Sequence, residues 1–127
     1  MIRRHAALTA AGVVTLMLVA AAAWGHAKLL RAVPAPGSTI ARTPTIVRLW
    51  FNEELDTKRS GLSVWNARGQ RVDDGHGGVD LNDLDRKAMK VVLKPILPGR
   101  YTVRWRAVSA DDLFVSTGSF TFTVRHP

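Results

Sequence analysis

Three stretches of this chain alternate apolar and polar side chains with a period of two, and that period restricts the possible fold more than any other feature. Over residues 45–51, Val47, Leu49 and Phe51 fall on one side, and Ile46, Arg48 and Trp50 on the other. Over residues 101–108, Tyr101, Val103, Trp105 and Ala107 oppose Thr102, Arg104 and Arg106; over residues 118–124, Phe120, Phe122 and Val124 oppose serine and threonine. Successive side chains of an extended strand point to opposite faces, so each stretch reads as a strand with one face on a core. Between them, residues 61–72 read as a strand, a turn around Asn66 to Gly69 and a return strand. Residues 90–94 add a short apolar run, and Leu97, Pro98 and Gly99 mark another turn. Roughly six or seven short strands with this punctuation predict an all-β fold, a β-sandwich with Greek-key connections. No segment sustains a helical period; residues 81–89 read as a turn or two, or as a loop or strand edge.

The N-terminus follows a different rule. Arg3, Arg4 and His5 precede an uncharged run from Ala6 to Ala23, and Ala23 and Gly25 place small residues where a signal peptidase requires them. Residues 1–25 are therefore predicted to be a signal peptide cut after Gly25, leaving residues 26–127 as one domain. The alternative is an uncleaved anchor, because about 18 uncharged residues approach the length of a membrane span. The Arg3-Arg4 pair does not by itself assign an export route. A cut two residues later, after Ala27, would discard His26.

The chain has 18 Lys and Arg against 10 Asp and Glu, and removal of residues 1–25 takes two arginines and no acid. These cations are scattered, with no basic block interleaved with aromatics, which argues against nucleic-acid binding. They suit solvent faces of strands or a nearby anionic membrane surface. With no cysteine, the fold has no disulfide, and a metal site would use nitrogen, oxygen or thioether donors.

A cut after Gly25 would make His26 the first residue. Its free amine and ring Nδ1 would then close a chelate on one metal ion, which an internal histidine cannot do because its nitrogen is an amide. Asp111 and Asp112 offer carboxylates before the last strand, and His76 is a further donor in a glycine-rich stretch with Asp73 and Asp74. That stretch also reads as a solvated turn. His126 follows the last strand, roughly 20 Å from the Asp111 loop on a strand of about seven residues. Glu53 and Glu54 read as loop groups bonding the N-terminal arm, Met89 and Trp105 as core, and Trp50 and Trp65 as half-exposed strand aromatics. No Ser-His-Asp order and no glycine-rich phosphate loop appears, so the chain is read as a non-enzyme.

His26-Ala27-Lys28-Leu29, residues 33–38 (VPAPGS), 43–53 (TPTIVRLWFNE), 97–111 (LPGRYTVRWRAVSAD) and 118–124 (GSFTFTV) together resemble the copper-resistance CopC family across the whole predicted domain. The resemblance implies a periplasmic, immunoglobulin-like β-sandwich or barrel that carries copper, often beside an inner-membrane partner of the CopD type. It also implies a Cu(II) site built from the N-terminal histidine and an Asp-x-His loop, a donor set suited to the tetragonal preference of Cu(II). His26 matches the first element, and Asp111 or Asp112 the carboxylate. The second histidine is missing: aligned from Ser109 its place holds Leu113, and aligned from Gly118 it holds Phe114. A methionine-rich Cu(I) loop is missing too, since Met89 is the one methionine after residue 25. The resemblance therefore implies weak Cu(II) binding at His26, Asp111 and Asp112, with His76 as a possible replacement donor. The alternative is a CopC-like interaction module that has lost metal binding and acts with a membrane partner.

Overall fold

The computed structural model describes residues 26–127; the expected signal peptide lies outside the described residues. Eight strands run in chain order: β1 (Leu29–Val33), β2 (Thr39–Ile40), β3 (Ile46–Phe51), β4 (Gly61–Asn66), β5 (Gly78–Val79), β6 (Ala88–Val92), β7 (Gly99–Val108) and β8 (Val115–Val124). They form two four-stranded sheets, β1-β3-β6-β5 and β2-β8-β7-β4. All neighbours are antiparallel except β2, which runs parallel to β8.

The alternation sets the core. Val47, Leu49 and Phe51 of β3 are buried against Val103, Ala107, Phe122 and Val124 of the facing sheet, while Arg104 and Arg106 are exposed. Trp105 packs edge-on to Phe51 at 5.2 Å between ring centroids, and Met89 is fully buried, as packing predicts. Trp50 and Trp65 lie half-exposed, each covered by a guanidinium: Arg31 at 4.6 Å and Arg104 at 5.0 Å from the ring centroid.

The sequence underestimates the strand count by one because β2 and β5 are two residues long, too short to show a period. The return arm of the expected 61–72 hairpin is reduced to one bridge, Trp65 to Arg71, beside a bond from the Val72 amide to the Val64 carbonyl. The reason is Asp73. Its buried carboxylate accepts the Val64 amide at 2.8 Å, taking the place of a ladder carbonyl, and the chain then crosses to the other sheet at the Asp73–Leu93 bridge.

Gly77 lies where the β5 edge of one sheet approaches the β4 edge of the other. A Cβ at that position would fall 2.2 Å from the Leu62 carbonyl oxygen, so the close approach requires glycine. Residues 81–87 form a loop, not a helix. Asp83 Oδ2 accepts the Lys87 and Ala88 amides, and Asp80 accepts the Asn82 amide and pairs with Arg48 at 3.2 Å and Lys90 at 3.4 Å.

Candidate metal centre

Two segments meet at one end of the sandwich. The first is the arm leading into β1. Ala27 is 3% exposed, the Lys28 amide donates to Asn52 Oδ1 at 2.7 Å, and the Asn52 amide donates back to the Lys28 carbonyl at 3.2 Å. The second is the loop between β7 and β8. Ser109 is buried and bridged to Leu55, the Ala110 amide donates to the Glu54 carbonyl, and the Leu113 amide closes a turn on the Ser109 carbonyl at 2.9 Å. Asp112 Oδ1 accepts the Phe114 amide at 3.0 Å, and Leu113 takes a left-handed φ of 58°. A short side-chain acceptor stabilises such a turn, and the left-handed leucine costs about 1–2 kcal/mol. Residues 52–55 thus hold both segments.

Their meeting point is an aromatic pair. The ring of His26 lies on that of Phe114, with centroids 3.5 Å apart and planes tilted by 46°. His26 is exposed, and so are Asp111 and Asp112 on the loop beside it. The fold therefore brings His26 to the loop that carries both aspartates, with an apolar ring against the imidazole.

His76 is not brought there. Its neighbours Asp74 and Gly78 are level with Val92 and Lys90, near the end of β6 that pairs with Ile46, on the sheet edge opposite β1. Three strand spacings across and about four residues along separate it from the arm by roughly 20 Å. The fold thus does not bring His76 to the arm and the aspartate loop. Its neighbour Asp73 is likewise no solvated metal donor, since its oxygens are taken by Arg71 Nε and the amides of Val64 and Gly75. Burial pushes the Asp73 carboxyl up, but the Arg71 and amide hydrogen bonds with the Arg71 charge outweigh it and hold the group below its usual value of 3.8. His126 is exposed beyond the far end of β8; that strand has ten residues. The separation from the Asp111 loop is therefore roughly 30 Å, more than a strand of about seven residues predicts.

The structure adds Glu53. Its Oε1 is buried and has no hydrogen-bond partner among the described residues. The arm is tied by Asn52, not by the Glu53 carboxylate, and Glu54 contributes its backbone carbonyl to the loop. Glu53 sits between them. The signal was present in the alternation: Val47, Leu49, Phe51 and the buried Leu55 share its parity, which places a carboxylate in an inward-facing series. An unpaired buried carboxylate oxygen carries a desolvation penalty that a cation would relieve. Among the described residues, no three His, Cys, Asp or Glu side chains converge closely enough to hold a metal ion by themselves.

The family model described as the CopC domain matches residues 29–125. The chain is 31% identical over 117 residues to protein YobA of Escherichia coli (strain K12), covering 91% of this chain and 92% of that one. It is 37% identical over 113 residues to copper resistance protein C of Pseudomonas syringae pv. tomato, covering 86% and 88% of the two chains. Its fold is similar to the crystal structure of PcoC, a methionine-rich copper resistance protein from Escherichia coli. The TM-score there is 0.64 at 33% identity, covering 79% of this chain and 99% of that one.

Proposed function

The chain belongs to the CopC family, and on that premise we propose that it is an exported copper-binding protein serving copper homeostasis or resistance, with an open Cu(II) site at His26. In this reading residues 1–25 are removed after Gly25, which frees the His26 amine. The docked arm favours that cut over one after Ala27, because Ala27 is buried and Lys28 is bonded to Asn52. The observation that carries the proposal is the tilted ring contact of His26 with Phe114, which brings the histidine to the aspartate loop.

The donor set is the His26 amine and ring with one or two carboxylates. Asp112 is preferred to Asp111, since its bond to the Phe114 amide gives it a defined place beside the ring. Among the described residues Glu53 does not complete a three-residue donor group with His26 and the aspartates, so its buried oxygen stays outside the set. Nitrogen and carboxylate oxygen suit Cu(II), and the set has no thioether or thiolate to select Cu(I). Phe114 where a second imidazole would stand makes the site weaker than a closed four-donor one. The exposed trio Leu113, Phe114 and Val115 gives this end an apolar lip, the kind of surface on which a CopD-type membrane transporter would receive the ion.

The same lip and the lack of a third converging donor favour the second reading, an interaction module without metal. Competitive Cu(II) titration separates the two. The protein starting at His26 should bind, and both His26→Ala and a form with one extra residue ahead of His26 should lose at least roughly ten-fold in affinity, the loss expected for disturbing a ligand shell. Equal, poor binding by all three would leave the interaction module.

A further inference from the structure

The outer face of the second sheet gathers arginines without carboxylates. Antiparallel pairing puts directly opposed residues on one face, so Arg104 and Arg106 of β7 stand beside Ser63 and Gly61 of β4 and beside Ser119 and Thr117 of β8. Arg71 joins them through its bridge to Trp65. Together with Ser63 and the backbone of Gly61 and Gly77, the three arginines line an open groove of about 350 Å³.

Each guanidinium is anchored through one atom or one face, and its remaining N–H groups have no acceptor among the described residues. Arg71 is held through Nε to Asp73 at 2.9 Å, with its side chain still 44% exposed. Arg104 lies over the Trp65 ring and has no hydrogen-bond acceptor among the described residues. Arg106 donates Nε to the Arg59 carbonyl at 3.2 Å. Asp73 is buried and spent on Arg71 and two amides, and among the described residues no carboxylate lies within ion-pair distance of Arg104 or Arg106. Arg104 and Arg106 are two residues apart on one strand face, a backbone spacing of about 7 Å, which is comparable to the screening length of roughly 8 Å in physiological salt. Like charges so placed repel each other, and the fold holds them there. A guanidinium fixed at one end presents paired donors suited to oxyanions.

We propose that the groove lined by Arg71, Arg104 and Arg106 binds a phosphate group, either free phosphate or the headgroup of an anionic lipid. Phosphate is favoured over a single carboxylate because two guanidiniums remain uncompensated and a phosphate supplies up to two charges and four oxygens. The site is separate from His26 and stands independently of the copper reading.

The test is a copper-free titration of the isotope-labelled protein with inorganic phosphate at constant ionic strength. The readouts are the arginine Nε–H signals and the Trp65 indole N–H, which donates to Ser63 at 2.8 Å. A second arm measures co-flotation with vesicles of phosphatidylglycerol or of phosphatidylcholine. Saturable shifts at these groups that weaken at least ten-fold in Arg104→Gln/Arg106→Gln, and persist in Arg42→Gln, support the site. Phosphatidylglycerol-selective flotation that the double variant loses supports it with lipid as the source, and its absence beside saturable phosphate binding supports it with free phosphate as the source. Drifting, unsaturable shifts without flotation, or responses unchanged in a folded double variant, would overturn it.

Discussion

Phe114 and Asp73 show how single side chains set the behaviour of this domain. Phe114 presses an apolar ring on His26, so Phe114→His would place a nitrogen donor beside the existing one. Cu(II) affinity should rise by on the order of ten-fold or more, measured by competition with a chromophoric chelator. No gain would mean that the ion, if bound, sits elsewhere. Asp73 is a structural residue despite its metal-like neighbours. Asp73→Ala strands the buried Val64 amide and releases Arg71 and the Gly75 amide. A loss of roughly 2–3 kcal/mol is expected from the urea midpoint, with the proposed Cu(II) binding at His26 unchanged.

Among the elements, the long β7–β8 ribbon and the β4–β5 seam depend on missing side chains. Gly118 on β8 lies opposite Trp105 on β7, and a Cβ there would fall 2.3 Å from Trp105 Cζ2. Gly118→Ala must displace the indole from its edge contact with Phe51, which costs about 1–3 kcal/mol as overpacking. Chemical denaturation gives the cost, and a changed tryptophan emission reports the moved ring. Gly77→Ala should cost more, because the obstructing atom is a backbone carbonyl that cannot rotate aside. Normal stability in Gly77→Ala would show that the seam can open to admit a methyl group.

Across the whole molecule, acid sensitivity follows from two carboxylates that brace different sheets. Asp80 is held below its usual value of 3.8 by the Asn82 amide, with burial opposing and the charges of Lys90 and Arg48 assisting; Asp73 is lowered as well. A carboxylate lowered in the folded state binds protons more readily when unfolded, so its stabilisation is complete above the unfolded value and fades as pH falls through the folded one. The contribution of both groups should be level from neutral pH to about pH 5 and decline below pH 4. Thermal melts from pH 7 to pH 2 should show this decline, and Asp73→Asn/Asp80→Asn should start less stable and flatten it. An equally steep acid loss in the double variant would assign the sensitivity to other groups.

Much of the fold was legible because burial of one strand face writes a period of two into the chain. The residues facing inward along 47–51, 101–107 and 120–124 could be named from that period alone, as could the sandwich they build. Two-residue strands leave no period, and Asp73 replaced a strand carbonyl with its side chain, so β2, β5 and the shortened hairpin came from tertiary contacts. The site divides in the same way. His26 and the aspartate loop stand out by residue type and position, whereas the ring of Phe114 on His26, the burial of the Glu53 oxygen and the removal of His76 to the far edge arise between segments distant in sequence. Local pattern reports which side of a strand meets water; only the packed chain decides which residues meet one another.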